Sequence, residues 1–362
     1  MPAVALEGPK GAGKTATATQ RVASIIQLDD PAQRAIAIAD PQLLLSRERP
    51  ILIDEWQFVP AVWDVVRRAV DVNNAPNQYL LTGSATPESH QTHSGAGRIV
   101  TVRMRPLSLA ERGIETPTVS LAALLEGGRP ALAGRTQVSL QQYTDEIVVS
   151  GFPGLRRFSG RALRTHLDSY ITRIVERDFE ELGHRVRRPQ TLRRWMAAYA
   201  AAVSETTSLE KIRDAATGDE QQKPAKTTVL MYREILERLW ILDPVPAWLP
   251  SRNPLSRLSA MPKHHLADPA LAARLLGLDA AALLTGAADK PKDYGPSPVV
   301  LRDGTMLGRL FESLVTLTVR VHAQAAEANV HHLRLYDGRH EVDLVIVRGD
   351  QRVLAIEVKL GA

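Results

Sequence analysis

The sequence predicts an α/β protein: a parallel-sheet domain over residues 1–112, a linker and helical domain over 113–290, and a small α/β module over 291–362. Three observations lead there. A glycine-rich loop, Gly8-Pro9-Lys10-Gly11-Ala12-Gly13-Lys14-Thr15, lies between an apolar run (Ala3 to Leu6) and a segment of good helix formers (Ala16 to Ile25). A second apolar run, Pro50 to Ile53, leads directly into Asp54-Glu55. Around them, short runs of Ile, Leu and Val alternate with helix-period segments, the order that builds parallel βαβ units.

Composition narrows the class. The chain has 362 residues, 44% hydrophobic and 23% charged, with a net charge of +5, as expected of soluble globular domains. That mild basicity permits an anionic partner without requiring one. The absence of cysteine excludes disulfides and thiolate metal sites. No apolar run reaches the roughly 18–20 residues of a membrane span. The N-terminus lacks the charged-then-apolar order of a signal peptide, so the expectation is a cytoplasmic protein with no membrane contact. Both ends read as clipped, because each runs almost directly into a strand.

The loop fits G-x-x-x-x-G-K-[ST], in the strand–loop–helix setting that a phosphate loop requires. Glycines let successive N–H groups converge on phosphates, and the helix N-terminus adds its positive dipole end. In this reading Gly8 to Thr15 cradle a nucleotide, Lys14 reaches its β/γ-phosphates, and the Thr15 hydroxyl ligands Mg²⁺. Asp54, at the C-terminal end of its strand, completes the Mg²⁺ shell, and Glu55 is placed to polarise the attacking water. The competing reading of Asp54 is a cap for the following helix.

Between these motifs, Ile25 to Leu28 reads as a strand, and Pro31 opens a helix over Ala32 to Leu45, interrupted at Pro41. Ala61 to Val70 reads as a helix with Trp56, Trp63 and Val66 as core. Gln78 to Leu81 is a strand ending in Thr82-Gly83-Ser84, where Thr82 or Ser84 is the candidate sensor of the γ-phosphate. A turn of small residues explains the same string. His90 and His93 read as solvated loop histidines. Arg98 to Arg105 alternates as a strand. Arg98 is a candidate arginine finger, although Arg103 and Arg105 stand on the same run and solvated strand positions account for all three. No guanine-specific Asn-Lys-x-Asp string is present, so ATP is the expected nucleotide.

Gly113 to Arg135 reads as a loop, and Leu163 to Leu182 as one long helix. A basic cluster follows (Arg185, Arg187, Arg188, Arg193, Arg194), then helices over Trp195 to Val203 and Thr227 to Leu242. Helices around a basic cluster fit a winged or helix-turn-helix DNA-binding module. The favoured reading is a helical domain whose arginines are solvated or paired with Glu176, Asp178, Glu180 and Glu181.

Beyond a Pro/Gly linker at Pro291 to Pro298, a helix (Leu307 to Ala326) carries Glu312 within an apolar stripe. Strands follow over Val330 to Tyr336, Glu341 to Val347 and Val353 to Leu360. Asp343 stands near the start of one strand. Glu357 and Lys359, two apart on the next, share a face. A Glu, an Asp and a Glu-x-Lys pair on helix, strand and strand match the PD-(D/E)xK nuclease constellation, where carboxylates hold Mg²⁺ and the lysine steadies the water.

Taken in order, these motifs resemble a known family. ILIDEWQ (Ile51 to Gln57), LLTGSATP (Leu80 to Pro87), HSGAGR (His93 to Arg98), RPLSLAE (Arg105 to Glu111), SGFP (Ser150 to Pro153), YITRIVERDFEELG (Tyr170 to Gly183) and AIEVKLG (Ala355 to Gly361) join the phosphate loop. Together they are similar to bacterial and archaeal AAA-type ATP-binding proteins whose C-terminal half is a domain of unknown function ending in a PD-(D/E)xK-like fold. The resemblance implies ATP binding. Members typically have an extra segment before the loop and further elements after Glu-x-Lys, so a truncated C-terminal module is expected. The leading expectation is an Mg²⁺-ATP-dependent molecular switch. The alternatives are an ATP-gated Mg²⁺-dependent nuclease and a non-hydrolysing regulator that binds DNA or protein. An AAA-type module often takes an arginine from a neighbour, so a homo-oligomer is also an expectation.

Overall fold

The computed structural model describes residues 1–84, 95–128, 135–217, 223–249, 260–284, 304–335 and 340–360. The chain forms two compact units. Residues 1–105, 178–185 and 234–241 make the first, and 106–177, 186–233 and 242–362 make the second. Both the middle part and the C-terminal module expected from the sequence contribute to the second unit. The segment read as a linker and the loop histidines His90 and His93 lie outside the described residues.

The first unit is built on β1 (Ala3–Glu7), β2 (Ser24–Gln27), β3 (Ile51–Asp54), β4 (Tyr79–Gly83) and β5 (Ile99–Arg103). All pair in parallel, in the order β2-β3-β4-β1-β5. The strands bear helices α1 (Lys14–Thr19), α2 (Pro31–Ala39) and α3 (Ala61–Val72), with a 3-10 turn over Pro41–Ser46. Ile51, Leu52 and Ile53 are fully buried, as expected of a strand covered on both faces. Val62, Trp63 and Val66 of α3 pack into the same core as Trp56, and the two tryptophan rings lie 4.7 Å apart.

Helix α1 is shorter than expected. It ends at Thr19 rather than running to Ile25, because Ser24 to Gln27 are taken into the sheet beside β3 and β-branched Thr17 and Thr19 add little helix propensity.

Further along come α4 (Leu121–Leu125), α5 (Leu140–Val149), α6 (Gly160–Arg173) and the one-turn α7 (Phe179–Glu181). They are followed by α8 (Pro189–Ala201), α9 (Leu209–Ala215), α10 (Lys226–Arg238), α11 (Pro269–Leu275), α12 (Ala280–Leu284) and the 22-residue α13 (Gly304–Ala325). The stretch expected as one helix from Leu163 to Leu182 is interrupted by a π turn at Ile174–Asp178, which inserts a residue and shifts the face presented after it. The expected loop from Gly113 contains α4, capped by the Ser120 hydroxyl, which accepts from Ala123 N–H. The SGFP turn is structural. Gly151 N–H donates to the buried Asp268 carboxylate at 2.7 Å, and a Cβ on Gly151 would meet Arg112 Nη2 at 2.6 Å.

The second unit ends in an antiparallel sheet of β6 (Ala328–Arg334), β7 (Glu341–Arg348) and β8 (Val353–Ile356). Its core joins Leu344 and Ile346 of β7 with Val245, Ala323 and Val330. The last strand stops at Ile356, four residues short of the expected Leu360. The ladder gives way where Asp343 Oδ2 accepts Val358 N–H at 2.9 Å, so a side chain takes the place of the next backbone pair.

His332 of β6 is buried, with Nε2 donating to Met261 C=O at 3.1 Å. Burial, assisted by the nearby Lys263 charge, lowers its pKa to about 4. The unfolded chain therefore takes up this proton first. The second unit is expected to lose up to about 3 kcal/mol as pH falls from 6.5 towards 4. His332→Gln should flatten that slope in denaturant melts at pH 4.5 and 7; an unchanged slope would exclude His332 as the cause.

Candidate nucleotide site

The candidate site lies at the C-terminal edge of the first unit's sheet, and the register explains why. Leu6 of β1 and Asp54 of β3 are both level with Thr82 of β4. The loop leaving β1, the Asp-Glu pair leaving β3 and the Thr-Gly-Ser string leaving β4 therefore emerge together. Gly8 has to be glycine here, since a Cβ would sit 2.1 Å from Met104 O. Gly13, at φ 96°, takes the left-handed conformation just before α1.

Lys14 is buried, and its Nζ turns back to donate to Gly8 O at 2.8 Å and Pro9 O at 2.9 Å. Burial lowers its pKa to about 8, against the opposing pull of Glu55 and Asp54. The Thr15 hydroxyl donates to Asp54 Oδ1 at 2.9 Å, and the Thr82 hydroxyl donates to the same oxygen. Two hydroxyls and a buried carboxylate form a cluster of hard oxygen donors of the kind that suits Mg²⁺. Among the described residues, no three His, Cys, Asp or Glu side chains are grouped to hold a metal by themselves. Mg²⁺ is usually held by one or two carboxylates plus substrate phosphates, and this cluster fits that pattern.

Glu55 stands at φ 53°, ψ 46°, a left-handed conformation that costs a non-glycine residue about 1 kcal/mol or more. Its Oε2 accepts from Gln57 Nε2 and, at 3.3 Å, from the Ser84 hydroxyl, while Gln57 Nε2 lies 3.4 Å from Ser84 Oγ. Gln57 was not among the sequence candidates. Its sequence signal is its place two residues after Glu55, at the end of the ILIDEWQ string, and the 3-10 turn Trp56–Phe58 folds it back onto the carboxylate.

Lys10, at the crest of the loop, donates to Asp178 Oδ1 at 2.7 Å and Glu181 Oε2 at 2.6 Å. Burial opposes its charge, but these two acids outweigh burial and raise its pKa. The sequence had offered both acids as partners for the basic cluster.

The other sequence candidates lie elsewhere. Arg98 precedes β5, whose Ile99 is level with Ala3. That places it at the opposite edge of the sheet, roughly 15 Å from the loop by strand rise, where its Nε donates to Asp71 Oδ1 at 2.8 Å. Arg185 belongs to the first unit, and Arg187, Arg188, Arg193 and Arg194 belong to the second. Arg187 and Arg188 are exposed, and Arg193 donates to the Thr172 hydroxyl at 2.7 Å.

In the second unit, Glu312, Asp343 and Glu357 line one pocket of about 430 Å³ together with Glu341, Arg309 and Arg334. Lys359 does not join them. It projects into solvent past the end of β8, with its Nζ 3.6 Å from Glu357 Oε1. The lysine that meets the carboxylates is Lys263, which no motif flagged. It is 1% exposed, with Nζ 2.8 Å from Glu312 Oε1, 3.0 Å from Asp343 Oδ1 and 3.2 Å from Glu341 Oε1.

Comparison with known proteins adds to this geometry. Residues 1–112 match the family model of an AAA domain. Residues 140–282 and 307–362 match two domains of unknown function, DUF8612 and DUF4143. Uncharacterized protein Rv2008c of Mycobacterium tuberculosis and uncharacterized protein Mb2031c of Mycobacterium bovis are each 28% identical over 286 residues, 77% of this chain and 57% of the relative. The chain thus spans little more than half the length of the curated relatives it matches. Its N-terminal part is similar to AAA-type, nucleotide-binding ATPase domains. No helix among the described residues is long and apolar enough to cross a membrane.

Proposed function

We propose that the first unit binds Mg²⁺-ATP and hydrolyses it, serving as a nucleotide-dependent switch. The observation that carries this reading is the convergence of Lys14, Thr15, Asp54, Glu55 and Thr82 at one sheet edge, set by the register of β1, β4 and β3. The backbone N–H groups from Gly8 to Thr15 would hold the phosphates. Lys14 would exchange its bonds to Gly8 O and Pro9 O for the β/γ-phosphate oxygens. Thr15 and Asp54 would hold Mg²⁺, which when bound supplies positive charge to the phosphate oxygens. Glu55 would orient and deprotonate the attacking water, with Gln57 and Ser84 fixing its carboxylate. Thr82, bonded to Asp54, would register the γ-phosphate through that carboxylate.

The test is Mg²⁺-ATP binding and turnover by the purified chain. Affinity should be flat from pH 7 to 8 and fall by up to about tenfold per unit above pH 8, because phosphate binds the charged form of Lys14 and free Lys14 loses its proton there. A titration with a fluorescent ATP analogue between pH 7 and 9.5 reads this directly. An affinity that stays level to pH 9.5 would remove Lys14 from the phosphate contact.

A further inference from the structure

The carboxylates of the second unit match, by type and element, a set that elsewhere holds a divalent cation. The way they are satisfied here does not suit one. An ammonium has three N–H donors and no lone pair, and the Lys263 Nζ meets three carboxylate oxygens, one each from Glu312, Asp343 and Glu341. Asp343 commits its second oxygen to Val358 N–H. A divalent ion bound to Glu312 Oε1 and Asp343 Oδ1 at the roughly 2.1 Å typical of Mg²⁺ would have to occupy the space of that nitrogen and face its like charge. Glu357 lines the same pocket but is half exposed, and it faces Lys359 Nζ at 3.6 Å rather than Lys263.

The lysine is held in place by backbone as well as charge. Lys263 N–H donates to Val245 O at 2.9 Å, and Val245 N–H donates to Lys263 O at 2.9 Å. The flanking His264 and His265 are both buried. Burial would discharge an isolated lysine, yet Glu312 and Asp343 outweigh it and keep the ammonium protonated. Burial also raises Glu312, to about 7, so the cluster's surplus negative charge is eased near neutral pH by a proton.

We propose that Lys263 is a tethered counter-cation that takes the place of a divalent metal among Glu312, Glu341 and Asp343, making this carboxylate cluster metal-independent. Removing the lysine should therefore create a divalent-cation site. This proposal does not depend on the nucleotide reading, since the two concern different units.

The experiment uses the full chain without nucleotide and Mn²⁺ as the probe, with stoichiometry read by electron paramagnetic resonance. Wild type and Glu312→Gln should bind the same number of Mn²⁺ ions at 1 mM or below. Lys263→Ser should bind one more ion than wild type and should regain on Mn²⁺ addition the melting temperature it loses without it. One ion fewer in Glu312→Gln than in wild type would overturn the proposal. So would a folded Lys263→Ser that binds no additional ion. If Lys263→Ser proves insoluble, the comparison of wild type with Glu312→Gln decides alone.

Discussion

Glu55→Gln is expected to lower ATP turnover by about 10²–10⁴-fold, the range for loss of a positioned general base, while nucleotide affinity stays close to that of wild type. The substitution keeps the side chain's length and shape while removing its charge and its capacity to take a proton. Glu55 is held by the Gln57 amide and the Ser84 hydroxyl, so the carboxylate is oriented before any substrate arrives. Its left-handed backbone points the same way, since a residue kept in a costly conformation at a sheet edge is often one whose position matters. Steady-state turnover beside equilibrium ATP binding separates the two effects. Turnover within tenfold of wild type would transfer the base role elsewhere.

Lys14→Ala is expected to weaken ATP binding by at least about 100-fold, because hydrogen bonds to charged partners contribute about 1.5–3 kcal/mol each and two or more are lost. The same change removes the Lys14 donor from Gly8 O and leaves Pro9 O with the Ala12 N–H at 3.2 Å in the free protein, so some loss of stability accompanies it. Lys14→Met, which refills the space without the charge, controls for that loss. If Lys14→Met folds as wild type does and still binds ATP normally, the phosphate-loop assignment fails.

The elements of the first unit could be read from the chain because their signals are local. The phosphate loop's glycines, the apolar run before Asp54-Glu55 and the prolines that open α2 and the 3-10 turn after it each act within a few residues. The pairing that brings Thr82 beside Asp54 is not local. It depends on β4 lying between β1 and β3, and nothing in a single strand's composition encodes that order. Lys263 was invisible for a similar reason. It stands in no periodic pattern, and its meaning comes from Glu312 and Asp343, 49 and 80 residues away along the chain. Lys359 shows the reverse case, a motif whose spacing fits while its own strand, β8, has already ended. The same holds for Lys10, whose acidic partners lie 168 and 171 residues downstream.

That last distance bears on how the protein is made. The first unit recruits residues 178–185 and 234–241, with Arg103 lying over the Trp240 ring at 4.6 Å and Lys10 held by Asp178 and Glu181. On a ribosome adding about 5–20 residues per second, the unit cannot complete itself when its sheet emerges. It must wait, with those surfaces bare, for residue 241 to clear the exit tunnel. A fragment cut after residue 112 would remain permanently at that stage.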